Sequence, residues 1–253
     1  MNRTTPPVLD YTTIEDFEDG TGENSLSNNS INWDGNSSRP EYDTDWAADG
    51  SLSVEIAGNG FSVYNYSRPG DGLPTYPAND CTYRVAAYQV TDSSSGLFRL
   101  WWGMDSADTD PNTNSYKLEG GPQADDGSST GNTAVVKYSG GSKTLLAESS
   151  TILTERNLYD VAVTFRETND EAVSDIAIYQ WDDGNSEWTQ YLSLTATDTA
   201  GDNLNQGGIA FGSDNHGNNS EYTYFDLFRT VSTPGGHTDT PQYTPPIYPA
   251  VSA

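Results

Sequence analysis

LYDVAVTFRETNDEAVSDIAIYQWDDGNSEWTQYLSLT, residues 158–195, decides the fold. Apolar and polar residues alternate along 158–167, 174–181 and 187–195, a period of two that sends every second side chain to one face of a strand. Asp182-Asp183-Gly184-Asn185 breaks the last two runs as a turn does. Strands joined this closely make an antiparallel meander, and nothing in the stretch repeats at helical spacing.

The pattern continues outward. Upstream lie 143–147 and 133–138, joined across Ser139-Gly140-Gly141, then 115–119, 97–104 and 82–90. Farther up, 61–66 and 51–56 read as a hairpin around Gly58-Asn59-Gly60, preceded by short runs at 31–33 and 14–18. Downstream come 207–212 and 221–231. About fourteen strands without a helix predict an all-β, two-sheet antiparallel jelly-roll sandwich, with roughly six or seven strands in each sheet. No linker interrupts 14–231, which reads as one domain between an N-terminal arm, 1–13, and a C-terminal arm, 232–253. The latter carries five prolines in 22 positions and reads as extended, polyproline-like chain. Its Tyr243, Ile247 and Tyr248 are side chains that such an arm can bury on a neighbouring subunit.

Charge narrows the function. The chain has 37 Asp and Glu against 11 Lys and Arg, a net charge of −26, spread along the strands. Such a chain repels itself in dilute buffer and is relieved in molar salt, where the Debye length falls to about 3 Å. Six Trp, sixteen Tyr and seven Phe exclude a disordered acidic segment, and the composition is that of a folded halophilic protein. No basic stripe is present to neutralise nucleic-acid phosphates or an anionic membrane. A single cysteine, Cys81, rules out an intrachain disulfide. MNRTTPPVLDY lacks the apolar region of a signal peptide, so export by the usual routes is not expected.

The opening IEDFEDG, the Trp46–Leu52 segment, the central LFRLWWG and SYKLE, and the closing GGIAFG and YTYFDLF resemble concanavalin A-like lectin/glucanase jelly rolls of the laminin-G-like kind. The resemblance implies that the first strand pairs near the last. It also implies that acidic residues there, Asp16, Glu18 and Asp226, help to hold a structural calcium. A second calcium candidate is the Asp105–Asn114 loop, whose Asp108, Asp110, Asn112 and Asn114 alternate as EF-type ligands do, with Glu119 at the twelfth position. Thr113 stands where such a loop needs glycine.

Catalytic constellations are absent from the sequence. No strand carries the Glu-x-Asp-x-Glu array of the glucanases; Asp16 and Glu18 share a face without a third carboxylate in register. His216 and His237 lie in a loop and in the tail, with no nucleophile elbow to serve. A glycan site has better candidates, because sugars stack on rings and bond to planar donors. Arg84 and Tyr88 share one side of their strand, and Arg99 and Trp101 share one side of theirs, opposite the core residue Trp102. Acid-rich domains of this kind that lack a signal peptide resemble structural proteins of haloarchaeal tailed viruses, and the resemblance implies a non-enzymatic structural or attachment protein of the virion, a capsid projection or tail component. It would assemble in the host cytoplasm as a homo-oligomer among other virion subunits and touch host-surface glycans. A free carbohydrate-binding module of a halophilic archaeon, extracellular, is the alternative, followed by a glycoside hydrolase.

Overall fold

The computed structural model describes residues 12–18, 33–35, 40–57, 65–69, 81–90, 96–104, 112–119, 132–154, 156–168, 171–199, 204, 208–215 and 222–231. They form fifteen strands and no helix. The first seven are β1 (Thr12–Glu15), β2 (Trp33–Gly35), β3 (Pro40–Asp43), β4 (Ser53–Ala57), β5 (Asn65–Pro69), β6 (Cys81–Val90) and β7 (Gly96–Met104). Then come β8 (Ser115–Glu119), β9 (Thr133–Ser139), β10 (Ser142–Ser149) and β11 (Leu158–Thr168). The last four are β12 (Glu171–Asp182), β13 (Glu187–Asp198), β14 (Gly208–Asn215) and β15 (Tyr222–Val231).

One sheet has eight strands in the order β13-β12-β11-β6-β15-β4-β3, with β1 also on β15. The other has seven, β10-β9-β8-β7-β14-β5-β2. The pairs described are antiparallel, and the first strand lies on the last, with Thr12 opposite Thr230. The β11–β12–β13 meander runs as its alternation predicts. The β9–β10 hairpin closes on Gly140 and Gly141, both at positive φ (55° and 78°), the primed turn whose twist matches the strands.

One expectation is corrected. Residues 51–56 and 61–66 are not a hairpin: β4 pairs with β3 and β15, whereas β5 belongs to the other sheet, on β14 and β2. The chain crosses between sheets there, and the Gly58–Gly60 turn lies outside the described residues. One strand is additional to those expected: β3, PEYD, shows no alternation and pairs along the edge of β4.

Between the sheets lies a core that includes Val54, Tyr83, Val85, Leu100, Trp102, Tyr116, Val161, Ile176 and Phe225. Trp102 is fully buried, and its indole N–H donates to Ser174 Oγ across the sandwich at 3.0 Å. Asp198, at the end of β13, ties the two sheets together. It accepts from Tyr116 Oη at 2.8 Å and pairs with Lys137 Nζ at 2.7 Å. Apart from Thr12 and Thr13 in β1 the expected arms, with Tyr243, Ile247 and Tyr248, lie outside the described residues.

Candidate functional site

The eight-stranded sheet has a second packed face. On β6, Tyr83, Val85 and Ala87 point into the core, so Arg84, Ala86 and Tyr88 point away from it. Register extends this outer face sideways, with Tyr88 opposite Leu158 on β11 and opposite Tyr224 on β15, which in turn faces Glu55 on β4. Trp181 and Trp188 stand opposite each other on β12 and β13, their rings 5.4 Å apart and edge to face. Trp46, from the β3–β4 connection, stacks on Tyr88 at 5.4 Å and 15°. Together they form an aromatic band across the outer face.

Beneath the band sit buried charges. Arg84 pairs with Asp160 Oδ1 at 2.6 Å, and Arg229 donates to Asp160 Oδ2 at 2.5 Å. Asp160 and Arg84 are fully buried. A bulge supplies the second arginine. Leu227 takes positive φ (51°), the β15 register slips between Asp226 and Arg229, and Arg229 lands opposite Arg84. Arg84 also lies 5.4 Å from the Tyr179 ring centroid.

The carboxylates expected to bind calcium do other work. The first strand ends at Glu15, and Phe17 turns the chain through positive φ (58°) to bury its ring. Asp16 and Glu18 are therefore exposed turn residues, not a strand face. Glu18 accepts from Ser51 N, Ser51 Oγ and Leu52 N at 2.7–2.9 Å. Asp226 accepts from Ala48 N, Asp49 N and Leu227 N at 2.6–3.0 Å. Gly50, between these clamps, has φ +70° and would put a Cβ 2.2 Å from Glu18 Oε1. The two acids thus hold the segment that lays Trp46 over Tyr88. Burial pushes the Asp226 carboxyl up to about 8 against the pull of its three N–H donors. No group of three or more His, Cys, Asp or Glu among the described residues is placed to hold a metal. The residues present do not fit a calcium cage built on Asp16, Glu18 and Asp226.

In the second calcium candidate, Asp105–Pro111 lie outside the described residues. Asn112 accepts from Trp101 Nε1 at 3.3 Å, and Asn114 caps Gly140 N at 3.0 Å. Glu119 is taken by Lys117 at 2.6 Å, Arg99 at 3.3 Å and Lys143 at 3.4 Å. Burial raises its carboxyl, but these three cations prevail and hold it down to about 2. A carboxylate so enclosed is an ion-pair partner, not a calcium ligand.

The four expected sugar contacts are not brought together. Arg84 and Tyr88 lie on the outer face of one sheet; Arg99 and Trp101 lie on the outer face of the other, with the whole sandwich between. The facing of Arg99 and Trp101 away from the core is as expected, but both are fully buried, as is Arg84. Scarce arginines in an acidic chain are drawn to internal carboxylates. Of the four, Tyr88 alone keeps partial exposure.

Tyr88 lies at the edge of the aromatic band, with Trp46 and Tyr224 stacked on it. Trp181 is half-buried, and Arg156 and Asp183 are exposed, both close enough to act electrostatically on the Tyr88 hydroxyl. Burial pushes that hydroxyl up, Arg156 lowers it and Asp183 raises it. Both loops are braced. Thr154 N and Asn157 Nδ2 bond to Tyr159 Oη and Thr154 Oγ1, and Gln180 Nε2 donates to Asn157 Oδ1 at 2.6 Å. Asp182 Oδ1 accepts from Gly184 N and Asn185 N in the opposite turn. Arg156 itself takes positive φ (58°), strain of the kind stored at functional positions. Sequence reasoning missed Arg156 and Asp183, which only loop placement brings near the Tyr88 hydroxyl, and Trp181, which lies two strands away across β11 on the same packed cluster.

No protein-family model matches the chain, and no curated protein sequence does. Solved structures do. The exoplasmic/lumenal domain of VIP36 matches in its Ca2+/Man3GlcNAc-bound form with 15% identity and a TM-score of 0.51, over 89% of this chain and 97% of that one. Its Ca2+-bound form matches with 13% identity and a TM-score of 0.51, over 89% and 95%.

The fold is the concanavalin A-like jelly roll.

A legume lectin-like domain from Entamoeba histolytica is also similar, at 10% identity and a TM-score of 0.49, over 79% of this chain and 89% of that one. In this jelly roll the Tyr88 rim lies at one end of the eight-stranded sheet, between the β10–β11 connection and the β12–β13 turn.

Proposed function

We propose that this jelly roll is a non-enzymatic glycan-binding domain whose ligand rests on Tyr88 and Trp181, with Arg156 and Asp183 bonding to its hydroxyls. The observation that carries the reading is the Tyr88 rim itself. It gathers two half-buried rings, an exposed guanidinium and an exposed carboxylate between two internally hydrogen-bonded loops. Trp181 offers a sugar a flat apolar surface and Tyr88, its face stacked by Trp46, offers a ring edge and a hydroxyl, while the two charged groups give planar, bidentate hydrogen bonding. Preformed loops spare the ordering cost of binding. The likeness to VIP36, matched in a Man3GlcNAc-bound form, supports a glycan as the ligand class.

A glycan array probed in molar salt tests it. Binding should appear and fall at least about tenfold for Tyr88→Ala and for Trp181→Ala, as expected for central aromatic anchors. No binding, or binding indifferent to both substitutions, sinks the site; release of shortened glycan products sinks the non-enzymatic reading. The setting we propose is the surface of a haloarchaeal virus particle, supported by the charge of −26 and by a fold suited to attachment. Mass spectrometry of purified virions lacking the chain would remove that setting and favour a free carbohydrate-binding module.

A further inference from the structure

A sheet face that turns away from the core meets solvent unless a further layer lies on it. On the outer face of the eight-stranded sheet, register sets two rows side by side. One runs Tyr179, Asp160 and Ala86 across β12, β11 and β6, and the next runs Ala177, Ala162 and Arg84 across the same strands. The three alanines reach one carbon above their strands, which leaves a shallow trough bordered by Tyr179 and Trp188. Yet Ala86, Ala162 and Ala177 are 0% exposed, and Tyr179 and Trp188 only 3% and 9%. Trp46 and Ala48 are the members of this cluster that come from outside the sheet, and Trp46 lies at its Tyr88–Tyr224 end. The burial is complete within one chain, so the rest of the cover belongs to the chain itself.

We infer that residues 241–249 of the Pro-rich C-terminal segment lie across this trough, on their own chain, as a polyproline-type strand. Connectivity favours this segment. β15 ends at Val231 opposite Thr82, the next outward residue after Arg84, so the chain leaves the sheet beside the trough. Residues 232–240 include Gly235-Gly236, which permits the reversal. From β15 to β13 are four strand spacings, about 19 Å. Residues 241–249 span about 28 Å as polyproline helix, enough to cross. Among the other long segments, 105–111 and 120–131 join strands of the seven-stranded sheet, and 19–32 and 70–80 are tied to it at one end.

Chemistry favours it too. Residues 241–249, PQYTPPIYP, carry no charge, so burying them avoids a desolvation cost that salt does not screen. The N-terminal segment 1–11, by contrast, carries Arg3 and Asp10. At three residues per turn, Tyr243, Pro246 and Pro249 fall on one edge of a polyproline helix, and Pro245 and Tyr248 on the next. Aromatic-bordered grooves receive such edges, and a backbone already fixed by proline loses little entropy in docking. The two tyrosine rings supply the bulk that the three alanines leave out. Tyr88 and Trp181 keep partial exposure, so the covered area stops short of them and the inference stands apart from the glycan reading.

Hydroxyl-radical footprinting in molar potassium chloride, read by mass spectrometry, tests the placement. Oxidation of Tyr179 and Trp188 should rise severalfold in a chain ending at Ser232 and in the double variant Tyr243→Ser, Tyr248→Ser, while Trp102 in the core stays protected. Unchanged protection of Tyr179 and Trp188 in the folded variants, or its loss on deleting residues 1–11 instead, overturns the proposal. Nuclear magnetic resonance of the unmodified chain is the second readout. In a mixture of isotopically labelled and unlabelled chains, Overhauser contacts between the Tyr243 or Tyr248 ring and the Ala162 or Ala177 methyl group should arise within one chain. Their absence, or their appearance only between chains, overturns the proposal even where the variants fail to fold.

Discussion

Asp160 serves two guanidinium groups at once, Arg84 and Arg229, with no water-exposed surface on the acid. Removing it strands two buried cations, the costly way to break an ion pair, and Asp160→Ala should cost about 3–5 kcal/mol or prevent folding. Denaturant unfolding of the variant checks this. Glu55 gives a pH signature. Burial raises its carboxyl despite the hydrogen bond from Tyr224, with Asp43, Asp45 and Glu41 adding to the rise, and it reaches about 7 from an ordinary 4.5. Folding therefore takes up a proton between these values, and Glu55 contributes stability below pH 4.5 that is lost as pH climbs through 7. The melting temperature should fall across that window more steeply in the wild type than in Glu55→Gln; parallel profiles would refute the assignment. Trp102→Ala should cost about 3–5 kcal/mol. The alternation of 97–104 gave the facing of its two tryptophans correctly, but facing is not exposure. Trp101 is as buried as Trp102, packed with Met104 and Ala210 and donating to Asn112, so Trp101→Ala should cost a similar amount. A sequence records which side of a strand a ring occupies, not what lies over that side.

Strands were legible almost to the residue where alternation is strong, as in β8 at 115–119 and β11 from Leu158. Pairing was less so. β4 and β5 follow one another around a glycine pair yet join different sheets, because a turn signal specifies a reversal and not which sheet receives the next strand. The β15 bulge was hidden for a related reason. Leu227 at positive φ leaves no trace in a sequence that reads as unbroken strand, although it brings Arg229 to Asp160. Where the residue type itself reports the backbone, the reading held, as at Gly140-Gly141. A Cβ there meets nothing within 4 Å, so any penalty comes from the left-handed backbone alone. Gly141→Ala should cost about 1–2 kcal/mol, read as a lower denaturation midpoint with an unchanged slope. A larger loss would mean that the turn also makes contacts.

At the scale of the whole molecule, charge governs the response to solvent. Self-repulsion at −26 is strong in dilute buffer and nearly gone at about 1 M salt. The melting temperature should rise steeply between low salt and about 1 M and flatten beyond, because screening saturates; a salt-independent melting temperature would remove the halophilic reading. The sequence stated the total charge but not its arrangement, which is inverted for the bases. Arg84, Arg99, Lys117, Lys137 and Arg229 are all buried, each against an internal carboxylate or beside a partner that has one. The chain has three lysines, and their side chains are 0% (Lys117), 5% (Lys137) and 22% (Lys143) exposed. Amine-reactive dyes or cross-linkers applied to the folded protein will therefore find one lysine, Lys143, besides the N-terminal amine. That makes the wild-type chain a nearly single-site substrate for labelling and surface immobilisation, with the tether on the sheet opposite Tyr88 and the Tyr88 rim left free.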